Sequence, residues 1–222
     1  MKRFVLTGLV LFLYSSCALA QDGWKSLFDG ESLDGWAIKS GYATYEVEDG
    51  VILGKTAEGS KNTFLCTVEE YGDFELTFEV KVDNGLNSGV QIRSKFKQDK
   101  FADKYGGRVF GPQVEIESGP GQSGWIYGEA TGRGWLSPEP KSKDKAVNQH
   151  EHFKNDAWNE YRVVAKGANI KTYINGELIA DLSDEEIFKT HPKGVIGLQV
   201  HGIKSGSGPF EVRWRNLKIK SL

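Results

Sequence analysis

Phe74-Glu-Leu-Thr-Phe78-Glu-Val-Lys-Val82 carries an apolar side chain at every second position and a polar one between. Side chains two apart on a strand share a face, so the stretch reads as a strand with one side in a core and the other turned outward. Val90-Gln-Ile-Arg93, Gln113-Val-Glu-Ile-Glu117 and Ile196-Gly-Leu-Gln-Val-His201 repeat the phase. Opposite the core this places Gln91, Arg93, Gln113, Glu115, Glu117, Gln199 and His201. Amides, carboxylates, a guanidinium and an imidazole on one sheet face suit a cleft that handles sugars.

Turn chemistry extends the reading. Asp49-Gly50 and Asn175-Gly176 each separate two alternating runs, and both dipeptides accept the positive φ of a two-residue hairpin turn. Further strands are expected over 73–82, 88–94, 112–118, 158–166, 194–201 and 209–220. Beyond residue 20 the only helical pattern is 183–189, with Ser183 as cap and Glu186 three residues on. Many strands, frequent glycine turns and almost no helix predict an all-β fold, a β-sandwich of long, curved strands. The stretches 95–110 and 119–158 are irregular and rich in glycine, and loops of that length usually line a site.

Residues 1–20 read as an export signal. Lys2 and Arg3 precede an apolar stretch from Phe4 to Leu13, and Ala18-Leu-Ala20 ends in a small-x-small cleavage pattern. The apolar run falls short of the roughly 20 residues that span a bilayer. Cys17 offers a second reading as a lipid attachment point, against which Tyr14 fits poorly. The expected mature chain, 21–222, is one exported domain. The whole chain has 28 Lys and Arg against 30 Asp and Glu; loss of Lys2 and Arg3 leaves 26 against 30, a net charge of −4. That argues against nucleic acid, whose footprint is a basic face. Only Cys66 remains, so no internal disulfide forms, and its setting among Phe64, Leu65 and Val68 suits a buried small apolar residue.

Each candidate motif has a plainer alternative. Gly119-Pro-Gly121-Gln-Ser-Gly124 matches a dinucleotide fingerprint, but strand-like Trp125-Ile-Tyr127 follows where a helix is needed, so it reads as a turn. His150-Glu-His152 has no companion Cys or His cluster and reads as solvated loop, from which His152 still reaches a cleft. Glu115 and Glu117 would have Cα atoms about 6.7 Å apart on one strand, a separation open to both retaining and inverting glycosidases. Trp125, Tyr127 and Trp135 are placed to stack on a sugar ring.

In order along the chain stand Gly23-Trp-Lys-Ser-Leu-Phe-Asp-Gly30, Asn87-Ser-Gly-Val-Gln-Ile-Arg93, Gly111-Pro-Gln-Val-Glu-Ile-Glu117, Trp125-Ile-Tyr-Gly128, Trp158-Asn-Glu-Tyr-Arg162, Ile174-Asn-Gly176, Gly197-Leu-Gln-Val-His201 and Arg215-Asn216. Together they resemble the 3-keto-disaccharide hydrolase domain family from about Trp24 to Leu222. The resemblance implies a concanavalin A-like jelly roll of two antiparallel sheets with a concave polar face. It also implies action on oligosaccharides or other glycosides whose C3 hydroxyl has been oxidised to a ketone. Family members often carry Glu-x-Gln where this chain has Gln113-Val-Glu115, which leaves open which of Gln113, Glu115 and Glu117 does the chemistry.

A C3 ketone acidifies the C2 proton, so its removal gives an enolate, the C1 leaving group departs by β-elimination, and water then adds. Such a site needs a base, a donor for the enolate oxygen and an acid. The expected base is His201 or Glu115, with Arg93 and Gln113 at the oxyanion and Tyr127 or Glu117 near the leaving oxygen. Gln91, Gln199, Trp125, Trp135 and His152 would contact substrate. A divalent cation is the alternative electrophile to Arg93. The rival readings are a conventional two-carboxylate glycosidase using Glu115 and Glu117, and a carbohydrate-binding module without catalysis.

Overall fold

Residues with alternating burial make the layers. A computed structural model describes residues 23–98, 106–118, 121–137 and 152–222. The segment 1–22, with the expected export signal and Cys17, lies outside the described residues, as do Gly119, Pro120, His150 and Glu151. In chain order the strands are β1 (Trp24–Ser26), β2 (Trp36–Lys39), β3 (Thr44–Glu48), β4 (Val51–Lys55), β5 (Thr63–Thr67), β6 (Phe74–Val82), β7 (Asn87–Lys97) and β8 (Arg108–Glu117). After them come β9 (Ile126–Glu129), β10 (Gly134–Trp135), β11 (Asn159–Lys166), β12 (Asn169–Ile174), β13 (Glu177–Ser183), helix α1 (Glu185–Thr190), β14 (Val195–Val200) and β15 (Glu211–Ser221).

These strands form two antiparallel sheets. One runs β13-β12-β11-β6-β15-β4-β3, with β1 also paired to β15; the other runs β10-β9-β8-β7-β14-β5-β2. Asp49 and Gly50 turn β3 into β4, and Asn175 and Gly176 turn β12 into β13, all four with positive φ. This is the hairpin geometry that the two dipeptides predict. The capping residue of α1 is Asp184 and not Ser183: its carboxylate accepts from the backbone N–H of Glu186 and Ile187.

The core lies between the sheets. Phe74, Leu76, Phe78, Val80 and Val82 of β6 face Val90, Ile92, Val114, Ile116, Leu198 and Val200 of the second sheet, all nearly or fully buried. Polar atoms inside are paired across the layers. Tyr45 donates its hydroxyl proton toward the carbonyls of Thr63 and Leu198 and accepts from the N–H of Val200. Gly54 marks a close approach of the layers, since a β-carbon there would sit 2.5 Å from Val200 Cγ2 and 3.0 Å from the Trp214 ring. Cys66 is buried beside Phe64 and Val109, and burial pushes its thiol up to about 12, away from thiolate chemistry.

Residues 95–97 and 108–110, expected to be irregular, continue the β7–β8 ladder. The ladder carries a bulge between Gln91 and Lys95, with Arg93 at φ 49°. A bulge adds a residue to one strand and so resets which side each later residue faces.

Candidate functional site

Pairing register brings the polar positions together on the outer face of the second sheet. Gln91 stands opposite Gln113, Gly89 opposite Glu115, and Asn87 opposite Glu117 across β7–β8; Gln199 of β14 stands opposite Gly89. Gly89 has no side chain in the middle of this group, and a β-carbon there would meet Gln113 Cγ and Cδ at 2.7 Å. The glycine is what lets Gln113 lie flat across the strands.

The amides form a directed row. Ser94 donates to Gln91 Oε1 at 2.5 Å, and Gln91 Nε2 donates to Gln113 Oε1 at 2.6 Å. Gln113 Nε2 in turn donates to Glu115 Oε1 at 2.7 Å, while Asn87 Nδ2 reaches Glu115 Oε2 at 3.2 Å. Gln199 Nε2 also donates to Gln113 Oε1, at 3.1 Å. Flipping any one of these amides would set two acceptors or two donors face to face, so the row fixes all of them. Gln199 Oε1 is buried without a hydrogen-bond partner.

Above the row is a hollow of about 360 Å³. Glu115, Glu117 and Glu129 supply its acids, His201 its imidazole, and Tyr127 and Trp135 an aromatic wall whose rings meet edge to face at 5.2 Å. Gln113 and Gln199 line it as well. The described lining contains no Lys or Arg. Burial, reinforced by the nearby charges of Glu129 and Glu117, raises the Glu115 carboxyl to about 8 despite the bonds from Gln113 and Asn87. Glu115 is therefore largely protonated at neutral pH. Burial also raises Glu129, against the pull of Arg108, His201 and an Asn62 hydrogen bond.

His201 is oriented by its neighbour. Its Nδ1 lies 2.7 Å from the carbonyl oxygen of Gly202, which can only accept, so Nδ1 carries a proton and Nε2 is the nitrogen left to exchange one. Asn62 Oδ1 accepts from the Gly202 N–H at 2.9 Å and steadies that turn.

Of the residues marked in the sequence, Gln113, Glu115, Glu117, Tyr127, Trp135, Gln199 and His201 line one hollow. Four are corrected. Arg93 does not join them. Its Nε and Nη1 donate to the carbonyls of Gly72 and Gly167 at 2.7 Å, and its Nη2 pairs with Asp73 at 2.8 Å, in the β5–β6 and β11–β12 connections. The bulge turned it away from Gln91. Gln91, itself a member of the row, is fully buried and does not line the hollow. Trp125 packs into the core, because the 121–125 turn breaks the strand phase before β9 begins. His152 is exposed, and its carbonyl accepts from Asn175 Nδ2 near the β12–β13 turn, outside the hollow's lining.

Asn87, Glu129 and Asn62 were missed. Asn87 shares the phase of Gln91, and Glu129 the phase of Tyr127, so alternation alone could have found both. Asn62 sits in a loop with no such signal. Among the described residues no three His, Cys, Asp or Glu side chains come together to hold a metal ion.

Removing Arg93 tests its reassigned role. Arg93→Ala would leave the half-buried carbonyls of Gly72 and Gly167 without its donors, and Asp73 with the Gly167 N–H but no guanidinium. Because Asp73 is partly hydrated, the expected loss is roughly 2–4 kcal/mol of stability. It should appear as a lowered Tm, with kcat of the folded fraction within about threefold of the parent, since no hollow contact is lost.

Among solved structures, a Bacillus subtilis protein with a galectin-like fold superimposes with a TM-score of 0.61 at 10% identity, over 89% of this chain and 94% of its own. A candidate glycosyl hydrolase of Parabacteroides distasonis gives 0.58 at 21% identity, over 90% and 94%. The carbohydrate-binding module CBM66 of Bacillus subtilis gives 0.54 at 16%, over 84% and 96%. These likenesses carry the fold, a concanavalin A-like sandwich. No curated protein sequence matches the chain. The family model for the 3-keto-alpha-glucoside-1,2-lyase-like domain matches residues 23–220, nearly the whole described length, and the chain belongs to that family.

Proposed function

We propose that this protein is a carbohydrate-active enzyme that breaks the C1–O bond of glycosides oxidised to a ketone at C3. The observation that carries the reading is one hollow holding a largely protonated carboxyl, Glu115, and an imidazole, His201, whose Nδ1 is engaged by the Gly202 carbonyl while Nε2 lies outside that bond. A pair whose environments set one as acid and the other as base is the arrangement that elimination needs. Family membership gives the coarser part, a carbohydrate-related function.

His201 Nε2 takes the C2 proton, and the C2–H electron pair passes into an enolate with its charge on the C3 oxygen. As that charge returns to restore the ketone, a C1–C2 double bond forms and the C1–O bond breaks. Glu115 gives its proton to the departing oxygen. Water then adds across the double bond, its hydroxyl to C1 and its proton to C2, releasing the 3-keto sugar. The aromatic edge of Tyr127 and Trp135 offers a face for the ring. Gln199 Oε1 accepts a sugar hydroxyl, which satisfies an otherwise orphaned buried acceptor.

The test is product analysis in deuterated water, with methyl 3-keto-α-glucoside beside unoxidised methyl α-glucoside. The expected result is release of methanol from the first alone, with one deuterium at C2 of the sugar product. Cleavage of the second, or product with no deuterium at C2, would sink the reading and favour a two-carboxylate glycosidase. Binding without any product would favour a lectin-like module.

A further inference from the structure

The hollow above Glu115 opens into a second one of about 520 Å³, and Asn62, Glu129 and His201 line both. The two differ in charge. Among the described residues the first has three carboxyl groups in its lining and no Lys or Arg, whereas Lys61, Arg108 and Lys204 line the second with Glu129 as its one acid. The three cations come from separate places: the loop before β5, the start of β8 and the loop after β14. Convergence of three distant cations on one rim is notable in a chain whose net charge is −2.

Glu129 does little to offset them. Arg108 Nη2 stands 3.9 Å from Glu129 Oε1, beyond hydrogen-bond length. Burial also works against the charged form of Glu129. The Lys204 ammonium pairs with no carboxylate among the described residues, and Ser205 beside it adds a hydroxyl. Phe64 forms part of the wall on the sheet side. A guanidinium, ammonium groups and a hydroxyl around an aromatic-lined space fit a sugar ring bearing an anionic group.

We propose that the second hollow receives the saccharide unit next to the broken bond, and that this unit carries a carboxylate or a sulfate ester held by Arg108 and Lys204. The inference rests on the first hollow being the place of cleavage, because His201 stands at the junction. The charge difference then orients the substrate: an anionic group finds no Lys or Arg in the lining of the first hollow and is drawn to the basic side of the second.

The test is an NMR titration of the full protein at low salt with methyl glucuronoside, glucose 6-sulfate and neutral methyl glucoside. None of these needs turnover. The expected result is that at least one anionic probe binds about tenfold or more tightly than the neutral one, as for one charge-assisted contact. Added salt should reduce that preference. Arg108→Glu and Lys204→Glu, both exposed positions, should each abolish it with Tm unchanged. The carboxylate and sulfate arms tell which anion is read. Equal binding of charged and neutral probes, no saturable binding of either anion, or a preference that survives both reversals overturns the proposal. Anion preference in a protein that never cleaves 3-keto-glycosides would instead remove only the cleavage reading.

Discussion

Glu115→Gln should lower kcat on a 3-keto-glycoside by about a hundredfold or more, the usual size of a lost general acid, and erase the alkaline limb of the pH profile. The parent enzyme needs Glu115 protonated, so its rate should fall as pH rises through about 8. In the variant the amide has no such proton, and that limb should disappear. A parent profile flat from neutral pH to well above 8 would remove Glu115 from the acid role.

The same group ties pH to folding. In the folded chain Glu115 keeps its proton up to about 8, whereas its ordinary value is 4.5. Between those values the folded state binds more protons than the unfolded one, so stability falls as pH rises through the window. The contribution is fully present below about 4.5 and lost above 8, and its size is on the order of a few kcal/mol. Denaturant melts across the window should show the slope in the parent and its loss in Glu115→Gln.

His201→Ala is the second large effect. Loss of a positioned base typically costs about 10²–10⁴ in rate, and solvent deuterium should no longer enter C2 of bound 3-keto substrate. The distinguishing measurement is rescue. Added imidazole should recover part of the exchange and part of the turnover, which a purely structural histidine would not allow. Unchanged exchange in the variant would move the base to Glu129, the other titratable group at the junction of the two hollows.

Alternation made much of this site visible in advance. In β8 and β14 the strands run without interruption through Gln113, Glu115, Glu117 and Gln199, so period-two reasoning put each side chain on its true face. It failed at Arg93 because Val90-Gln-Ile-Arg93 looks like ordinary strand. Nothing in those residue types announces a bulge with an arginine at positive φ. Trp125 failed for a related reason, since a turn just before β9 decouples it from Tyr127. Asn62 belongs to a loop whose position depends on long-range contacts, here the N–H of Gly202. Faces were legible where hydrogen-bond ladders are regular, and not where the chain leaves them.

The Ser94-to-Glu115 amide row also bears on how such a protein could be retargeted. Because each donor in the row already has its acceptor, a change to one floor residue propagates to the acid several ångströms away. Lys61 and Lys204 on loops and Arg108 at the start of β8 stand at the margin, outside that row. Substrate choice can therefore drift, by selection or by design, through the margin while the reaction centre stays as it is.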